Sequence, residues 1–149
     1  MDFQEGRKRL LASNFSQEVN QYLRGVDSSG WPSCDVLNRL ANEQTGTIVN
    51  ANGIDIKFVT QYERSKTFET GFEQRAFLSG EVQVRPENWH DLLNAFTWLL
   101  FPKSKAALNA RHYRVLRTDQ YQDRSPEGDA LTLRDEEGVS VLERDAEVA

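Results

Sequence analysis

A chain of 149 residues, 38% of them hydrophobic and 28% charged, has the balance of one soluble globular domain. Its net charge of −5 argues against a general nucleic-acid binder, and its longest apolar run, residues 98–101, is far too short to cross a membrane. The single cysteine, Cys34, cannot form an internal disulfide, and the N-terminus has no signal-peptide core, so we expect a cytoplasmic protein.

The first part of the chain predicts helices followed by a hairpin. Residues 1–13 form either a flexible polar arm or a frayed helix. Ser16 and Ser33 are suited to cap the N-termini of two helices, because a serine hydroxyl can accept a hydrogen bond from a free N–H of the first turn. Within residues 47–59, two β-branched runs flank an Asn-Gly pair, a pattern typical of a β-hairpin.

The next part predicts a central pair of helices. A loop and a short helix near residues 70–78 come first. Asn88 then caps a helix over residues 89–101. Pro102 lies in the first turn of a second helix, over about residues 102–117, where its missing N–H is harmless.

The last part predicts a second hairpin, over residues 130–144, and a disordered tail over residues 143–149. The complete prediction is a single-domain α+β fold with N-terminal helices, the central helix pair and two short β-hairpins. Charge is uneven here: residues 103–117 contain five basic residues and no acid, whereas residues 119–149 contain ten acids and three arginines. The basic helix either faces the acidic segment or water, or it binds a phosphate or another anion.

The helix over residues 89–101 has polar residues in an otherwise apolar sequence. At 100° per residue, one face is a complete core stripe, formed by Trp89, Leu92, Leu93, Phe96, Leu99 and Leu100. The opposite face contains His90, Asp91, Asn94, Thr97, Trp98 and Phe101. Because this face has only one formal charge, between aromatic residues, we expect it to be covered too, and its polar groups then need partners.

The following helix offers such partners, since Lys105, Asn109 and His112 share one of its faces. Asp91 in particular needs a cation, and Arg85 and Lys105 are the two candidates. We favour Arg85, because its planar guanidinium can bind a carboxylate with two hydrogen bonds. Lys105 would then face the site and attract an anion.

Two interpretations of this polar cluster are open. In the first, it is an aromatic-walled site between the two helices that binds a small molecule or an anion. His90 and Asp91 are then the candidate catalytic residues, and the expected ligand-binding residues are Arg85, Asn94, Trp98, Lys105, Asn109, His112 and Asp129. In the second, the protein is a non-enzymatic structural or interaction module, and the cluster only fixes the packing of the helices, with Asn109 paired to His90 or Asn94.

No metal or cofactor is assigned from the sequence. His90, Asp91 and His112 offer nitrogen and oxygen ligands suited to zinc, but their spacing matches no established metal motif. Nucleotide-binding glycine loops, paired-cysteine motifs and a serine nucleophile elbow are also missing from the sequence.

Three segments also carry a family resemblance. They are YERSKTFETGFEQRAFLSGEV, RxxNWHDLLNAxxWLxFPxxKAALNARH and DALTLxDExGV, with weaker similarity in WPSCDVLNRLA and GIDIKFV upstream. Together they resemble the bacterial family catalogued as Domain of Unknown Function 3025, over about residues 30–142. The matching positions are Arg85, Asn88, Trp89, His90, Asp91, Asn94, Trp98, Pro102, Lys105, Asn109, Asp129, Asp135 and Gly138.

The resemblance implies no activity. It implies a further C-terminal portion that this chain lacks after Ala149, because the family continues past the acidic hairpin. Glu137 stands where the family usually has Asn, which is a departure at the hairpin turn.

Overall fold

The structure, a computed structural model, describes residues 1–13, 16–43, 46–64 and 66–119. In these segments the elements in chain order are α1 (Phe3–Ala12), α2 (Gln17–Gly25), α3 (Cys34–Asn42), β1 (Lys57–Thr60), α4 (Phe72–Ser79), β2 (Glu81–Val84), α5 (Trp89–Leu100) and α6 (Pro102–Asp119). Helices dominate and the sheet is small, so the single-domain α+β fold predicted from the sequence is confirmed. The predicted C-terminal hairpin and tail lie outside the described residues.

Three helices begin at the caps that the sequence predicts. The side chains of Ser16, Ser33 and Asn88 each accept a hydrogen bond from the backbone N–H three residues later. In each case a first-turn N–H that has no partner within the helix is satisfied by the cap. Helix α5 therefore begins at the predicted cap, and α6 begins at Pro102, as the sequence also predicts.

The N-terminal residues 1–13 contain helix α1. Phe3 is buried and stacks against Trp89, and both rings contact Trp31. Gly6 permits this packing, because a Cβ at that position would lie 2.4 Å from the Trp89 ring. The first helix is thereby attached to the first residue of α5.

The sheet differs from the hairpin predicted within residues 47–59. β1 and β2 are parallel, with Lys57 opposite Glu81 and Thr60 opposite Val84, and α4 forms the crossover between them. The turn predicted within residues 47–59 is present, but its antiparallel pairing is one isolated bridge between Val49 and Asp55.

β2 was not predicted, because its sequence, Glu-Val-Gln-Val, gives an alternation of only four residues, which is too short to establish a strand. Gly80, between α4 and β2, has φ +74°, and a Cβ there would lie 2.2 Å from the Asp55 carbonyl oxygen. A glycine is therefore required at this tight passage from helix to strand.

Two asparagines satisfy backbone groups, one at the end of a helix and the other on the edge of the short sheet. Asn50 donates from Nδ2 to the carbonyls of Ala76 and Phe77 at the end of α4, at 2.9 and 2.8 Å. Asn38 of α3 donates to the Phe58 carbonyl at 2.9 Å and accepts from the Phe58 N–H at 2.8 Å. The backbone groups of successive strand residues face opposite sides. The Lys57 N–H donates to the Gly80 carbonyl on the β2 side, so the N–H and C=O of Phe58 face away from β2.

The core lies between the sheet and helices α2, α3 and α5. Its most deeply buried large side chains are Leu23, Leu37, Phe58, Val82, Phe96, Trp98 and Leu99. Burying each such side chain contributes about 1.5–3 kcal/mol, so this cluster holds α5 firmly against the sheet. None of the helices in the described segments has the length and apolar character needed to cross a membrane.

Candidate functional site

The polar face of α5 is covered over part of its length. Asp91 and Trp98 are buried, as the sequence predicts, with 4% and 1% of their surface exposed. The expectation fails for His90 and Phe101, which are exposed. His90 follows the first residue of α5, and none of the elements in the described segments covers that side of the helix. The predicted site residues consequently divide into two groups.

The first group, which we call the His90 site, consists of Arg85, Asn88, His90 and Asp91. Arg85 donates from Nε to Oδ2 of Asp91 at 2.8 Å and from Nη2 to Oδ1 at 2.9 Å, so the predicted two-bond pairing is confirmed. The Arg85 backbone N–H adds a third bond to Oδ2 at 2.9 Å. These bonds fasten the residues before α5 onto its first turn.

The pKa of Asp91 lies below its ordinary value. Burial by itself raises the pKa of the carboxyl, but the side-chain and backbone hydrogen bonds from Arg85, the bond from His90 and the charge of Arg85 together lower it by more. The same pair raises the pKa of Arg85. Asp91 is therefore an ionised carboxylate at neutral pH, and it can only accept hydrogen bonds.

His90 lies beside this carboxylate, with Nδ1 3.2 Å from Oδ1 of Asp91. The ring is open to solvent, since 70% of the His90 side chain is exposed, against 5% for Asp91. Arg85 is also accessible, with 53% of its side chain exposed. One buried carboxylate thus holds two solvent-facing basic side chains next to each other.

The backbone that joins Arg85 to α5 is strained at one residue. Glu87 has φ 53°, in the left-handed region that glutamate rarely adopts. Such a conformation costs on the order of 1 kcal/mol and persists only where the surroundings impose it. Here the bonds from Arg85 to Asp91 on one side and the Asn88 cap on the other determine the path of the loop.

The second group, which we call the Glu73 cluster, consists of Glu73, Lys105, Asn109 and His112. Asn109 donates from Nδ2 to Oε2 of Glu73 at 2.7 Å and to the Glu73 carbonyl at 2.9 Å. Nδ1 of His112 is 3.2 Å from Oε1 of the same carboxylate. The predicted pairing of Asn109 with His90 or Asn94 is wrong, because the Asn109 amide points to Glu73 of α4 instead.

The pKa of Glu73 also lies below its ordinary value. Burial raises the pKa of this carboxyl, but the hydrogen bond from His112, the charges of Lys105 and His112 and the bond from Asn109 outweigh it. Lys105 is buried and its Nζ lies 5.9 Å from the centre of the Trp98 ring, so it also contacts α5. The cluster therefore joins α4, α5 and α6 inside the fold.

Sequence analysis missed Glu73. The signal was indirect: a stripe with a buried lysine and histidine needs a carboxylate partner, but several acids were available and none was distinguished by its spacing. Of the remaining predicted ligand residues, Asn94 is half-buried, and its Nδ2 is buried with no hydrogen-bond acceptor among the residues that the structure describes. Asp129 lies outside the described residues.

The two histidines lie in different groups, His90 beside Asp91 and His112 beside Glu73. Within residues 1–13, 16–43, 46–64 and 66–119, no three His, Cys, Asp or Glu side chains come together in a way that could hold a metal ion. The arrangement with His90, Asp91 and His112 as joint ligands is therefore not formed.

A family model matches residues 56–149, a segment that contains every element from β1 to α6 and both polar groups. Helices α1 to α3, including the similar stretch at residues 31–41, lie before the match. No curated protein and no solved structure matches the chain. Because the family match covers more than half of the sequence, the protein belongs to the family described as Protein of unknown function (DUF3025).

Proposed function

We propose that the protein binds a small anionic molecule, a carboxylate or a phosphate, at the His90 site, and that His90 exchanges a proton with it. The observation that carries the proposal is that a single oxygen, Oδ1 of Asp91, has both Arg85 Nη2 and His90 Nδ1 within 3.2 Å. Two exposed basic side chains are thereby fixed side by side, as recognition of an anion requires.

The guanidinium of Arg85 has capacity left for a ligand. Its bonds to Asp91 use Nε and Nη2, and the residues that the structure describes form no hydrogen bond to Nη1. Arginine recognises carboxylate and phosphate oxygens through paired N–H groups, and imidazole can accept or donate a proton near neutral pH. An anion bound by Arg85 would therefore lie within reach of a group able to transfer a proton.

Binding can be tested by proton NMR, because the chain has only two histidines. Titration with inorganic phosphate or acetate should shift the ring signals of His90 in a saturable way and leave those of the buried His112 unchanged. Arg85→Lys should weaken binding by about tenfold or more, since hydrogen bonds to charged groups contribute about 1.5–3 kcal/mol. Lysine keeps the charge beside Asp91 but lacks the planar fork.

Lys103→Gln is the matched control, because it removes an exposed positive charge at the start of α6, one helix length away from the first turn of α5. It should leave the titration unchanged. Shifts that do not saturate, or that weaken equally in Arg85→Lys and Lys103→Gln, would show general electrostatic attraction and refute the proposal.

For the Glu73 cluster a different observation favours a structural role. Its carboxylate already accepts bonds from Asn109 and His112, and all of these side chains are shielded from solvent. The cluster then fixes the packing of α4 against α6, which is the non-enzymatic alternative for this part of the molecule. Its test is the Glu73 variant discussed below.

We also propose a cytoplasmic location in a bacterial cell. The only cysteine, Cys34, is half-buried and unpaired, which suits a reducing compartment. Fractionation of bacteria that express the native gene would test this, and recovery of the protein in the membrane or the periplasm would contradict it.

A further inference from the structure

The tautomer of His90 follows from the state of Asp91. Because the carboxylate is ionised and can only accept, the proton in the contact between Nδ1 and Oδ1 belongs to the imidazole. A neutral ring protonated at Nδ1 has its free electron pair on Nε2. That nitrogen lies on the edge of the ring opposite Asp91, and 70% of the side chain is exposed. His90 is thus held as a nucleophile directed at solvent.

Arg85 supplies the group that a phosphoryl centre needs beside such a nucleophile. It neutralises Asp91, so a dianionic phosphoryl group approaching His90 does not meet an uncompensated negative charge. Its Nη1 can bind phosphoryl oxygens while Nε and Nη2 stay on Asp91.

We propose that His90 accepts a phosphoryl group on Nε2 from an acyl phosphate; this rests on the anion binding proposed above for the same site. The electron pair of Nε2 forms a bond to phosphorus. The bond between phosphorus and the bridging oxygen breaks, and its electron pair leaves with the carboxylate product. The ring proton stays on Nδ1, where the negative charge of Asp91 balances the positive character that the ring gains.

The donor class follows from the groups that the described residues place at the site. His90 is consumed as the nucleophile and Asp91 is ionised, so neither can protonate a departing alcohol. A donor whose leaving group departs as a stable anion needs no general acid, and an acyl phosphate meets that requirement. An ordinary phosphate ester does not meet this requirement, because its alcohol has to be protonated as it leaves.

The test uses the full chain and acetyl phosphate. Intact-mass analysis and phosphorus NMR should show one phosphoryl group, labile to acid and stable to base, and peptide mapping at alkaline pH should place it on His90 and not on His112. The reaction should be at least about tenfold faster than with free N-acetylhistidine, because the ring and the phosphoryl site are already oriented. His90→Gln should abolish it, and this variant should fold normally, since the side chain is exposed.

Arg85→Lys should slow the reaction while the fold is kept, and Lys103→Gln should react like the unmodified protein. A rate equal to that of N-acetylhistidine, or equal labelling of His112, would overturn the proposal. If inorganic phosphate shifts the His90 signals but acetyl phosphate leaves no covalent product, the phosphoryl transfer is refuted and the anion binding stands. If neither is observed, both proposals fail.

Discussion

The His90 site and the Glu73 cluster are each built around one shielded carboxylate, yet they differ in what surrounds it. Asp91 is paired with side chains that are largely exposed, at 53% for Arg85 and 70% for His90. Glu73 is paired with side chains that are themselves buried, at 2% for Asn109 and 9% for His112. A carboxylate with buried partners can only join elements inside the fold. One with exposed partners also fixes the position of groups that solvent and ligands can reach.

The difference has an energetic side. When a buried ion loses its partner, water cannot reach the remaining charge to take the partner's place. When the partner is exposed, water takes over much of the lost interaction. Substitutions in the Glu73 cluster should therefore destabilise the protein more than substitutions in the His90 site.

Glu73→Gln should be the most destabilising of these changes. It removes the carboxylate that binds the buried Asn109 and His112 and whose charge attracts Lys105. Removing one partner from a buried ionic network typically costs about 3–5 kcal/mol. Urea denaturation should show this as a lower midpoint with an unchanged slope. Glu69→Gln, an exposed carboxylate ahead of the same helix, is the control and should change the free energy of unfolding by less than about 0.5 kcal/mol. A Glu73 variant as stable as this control would remove the structural role of the cluster.

Asp91→Asn should cost less, about 1–3 kcal/mol, because the exposed Arg85 can be hydrated while the loop loses its bonds to the carboxylate. The measurement is the same denaturation series. A double-mutant cycle with Arg85→Gln should give a coupling energy different from zero, because each single substitution already removes the contact between Arg85 and Asp91. If Asp91→Asn lowers the free energy of unfolding as much as Glu73→Gln does, the two regions do not differ and the His90 site has to be regarded as part of the core.

Acid should act in the same direction on both carboxylates. Their pKa values are lowered in the folded protein, so the unfolded chain binds more protons in acid. The stability they contribute is complete above the unfolded values, about 4, and is lost as the pH falls through the folded ones. The stability gap between the unmodified protein and Asp91→Asn should therefore narrow below about pH 4. A gap that stays constant down to acid unfolding would contradict the lowered pKa of Asp91.

His90→Gln should have the smallest effect on stability, within about 0.5 kcal/mol, because the side chain is exposed and makes one long hydrogen bond. A thermal-unfolding midpoint close to that of the unmodified protein, together with loss of covalent labelling by acetyl phosphate, would show that His90 acts in function and not in stability. A large loss of stability would instead give His90 a structural role.

The sequence predicted those parts of the molecule in which one local pattern dominates. The caps at Ser16, Ser33 and Asn88 were predictable because capping depends on neighbouring residues. The pairing of Arg85 with Asp91 was predictable because the two are six residues apart and only two cations were within reach.

The rest depended on contacts between distant residues. Glu73 lies 36 residues from Asn109 in the chain, and no spacing rule relates them. The strand Glu81–Val84 has an alternating pattern too short to establish it, and the exposure of His90 depends on which elements pack around the start of α5. Helical periodicity gives the faces of a helix but does not say which neighbour covers each face.

The bond pair between Asn38 and Phe58 has a consequence for how the protein behaves at high concentration. An unpaired strand edge is a template on which another chain can add a strand, and a two-stranded sheet is mostly edge. The Asn38 side chain occupies both backbone groups of Phe58 and so removes them as a template for such addition. Loss of this one amide would open the strand to self-association, so aggregation on storage would increase while the core packing stayed the same.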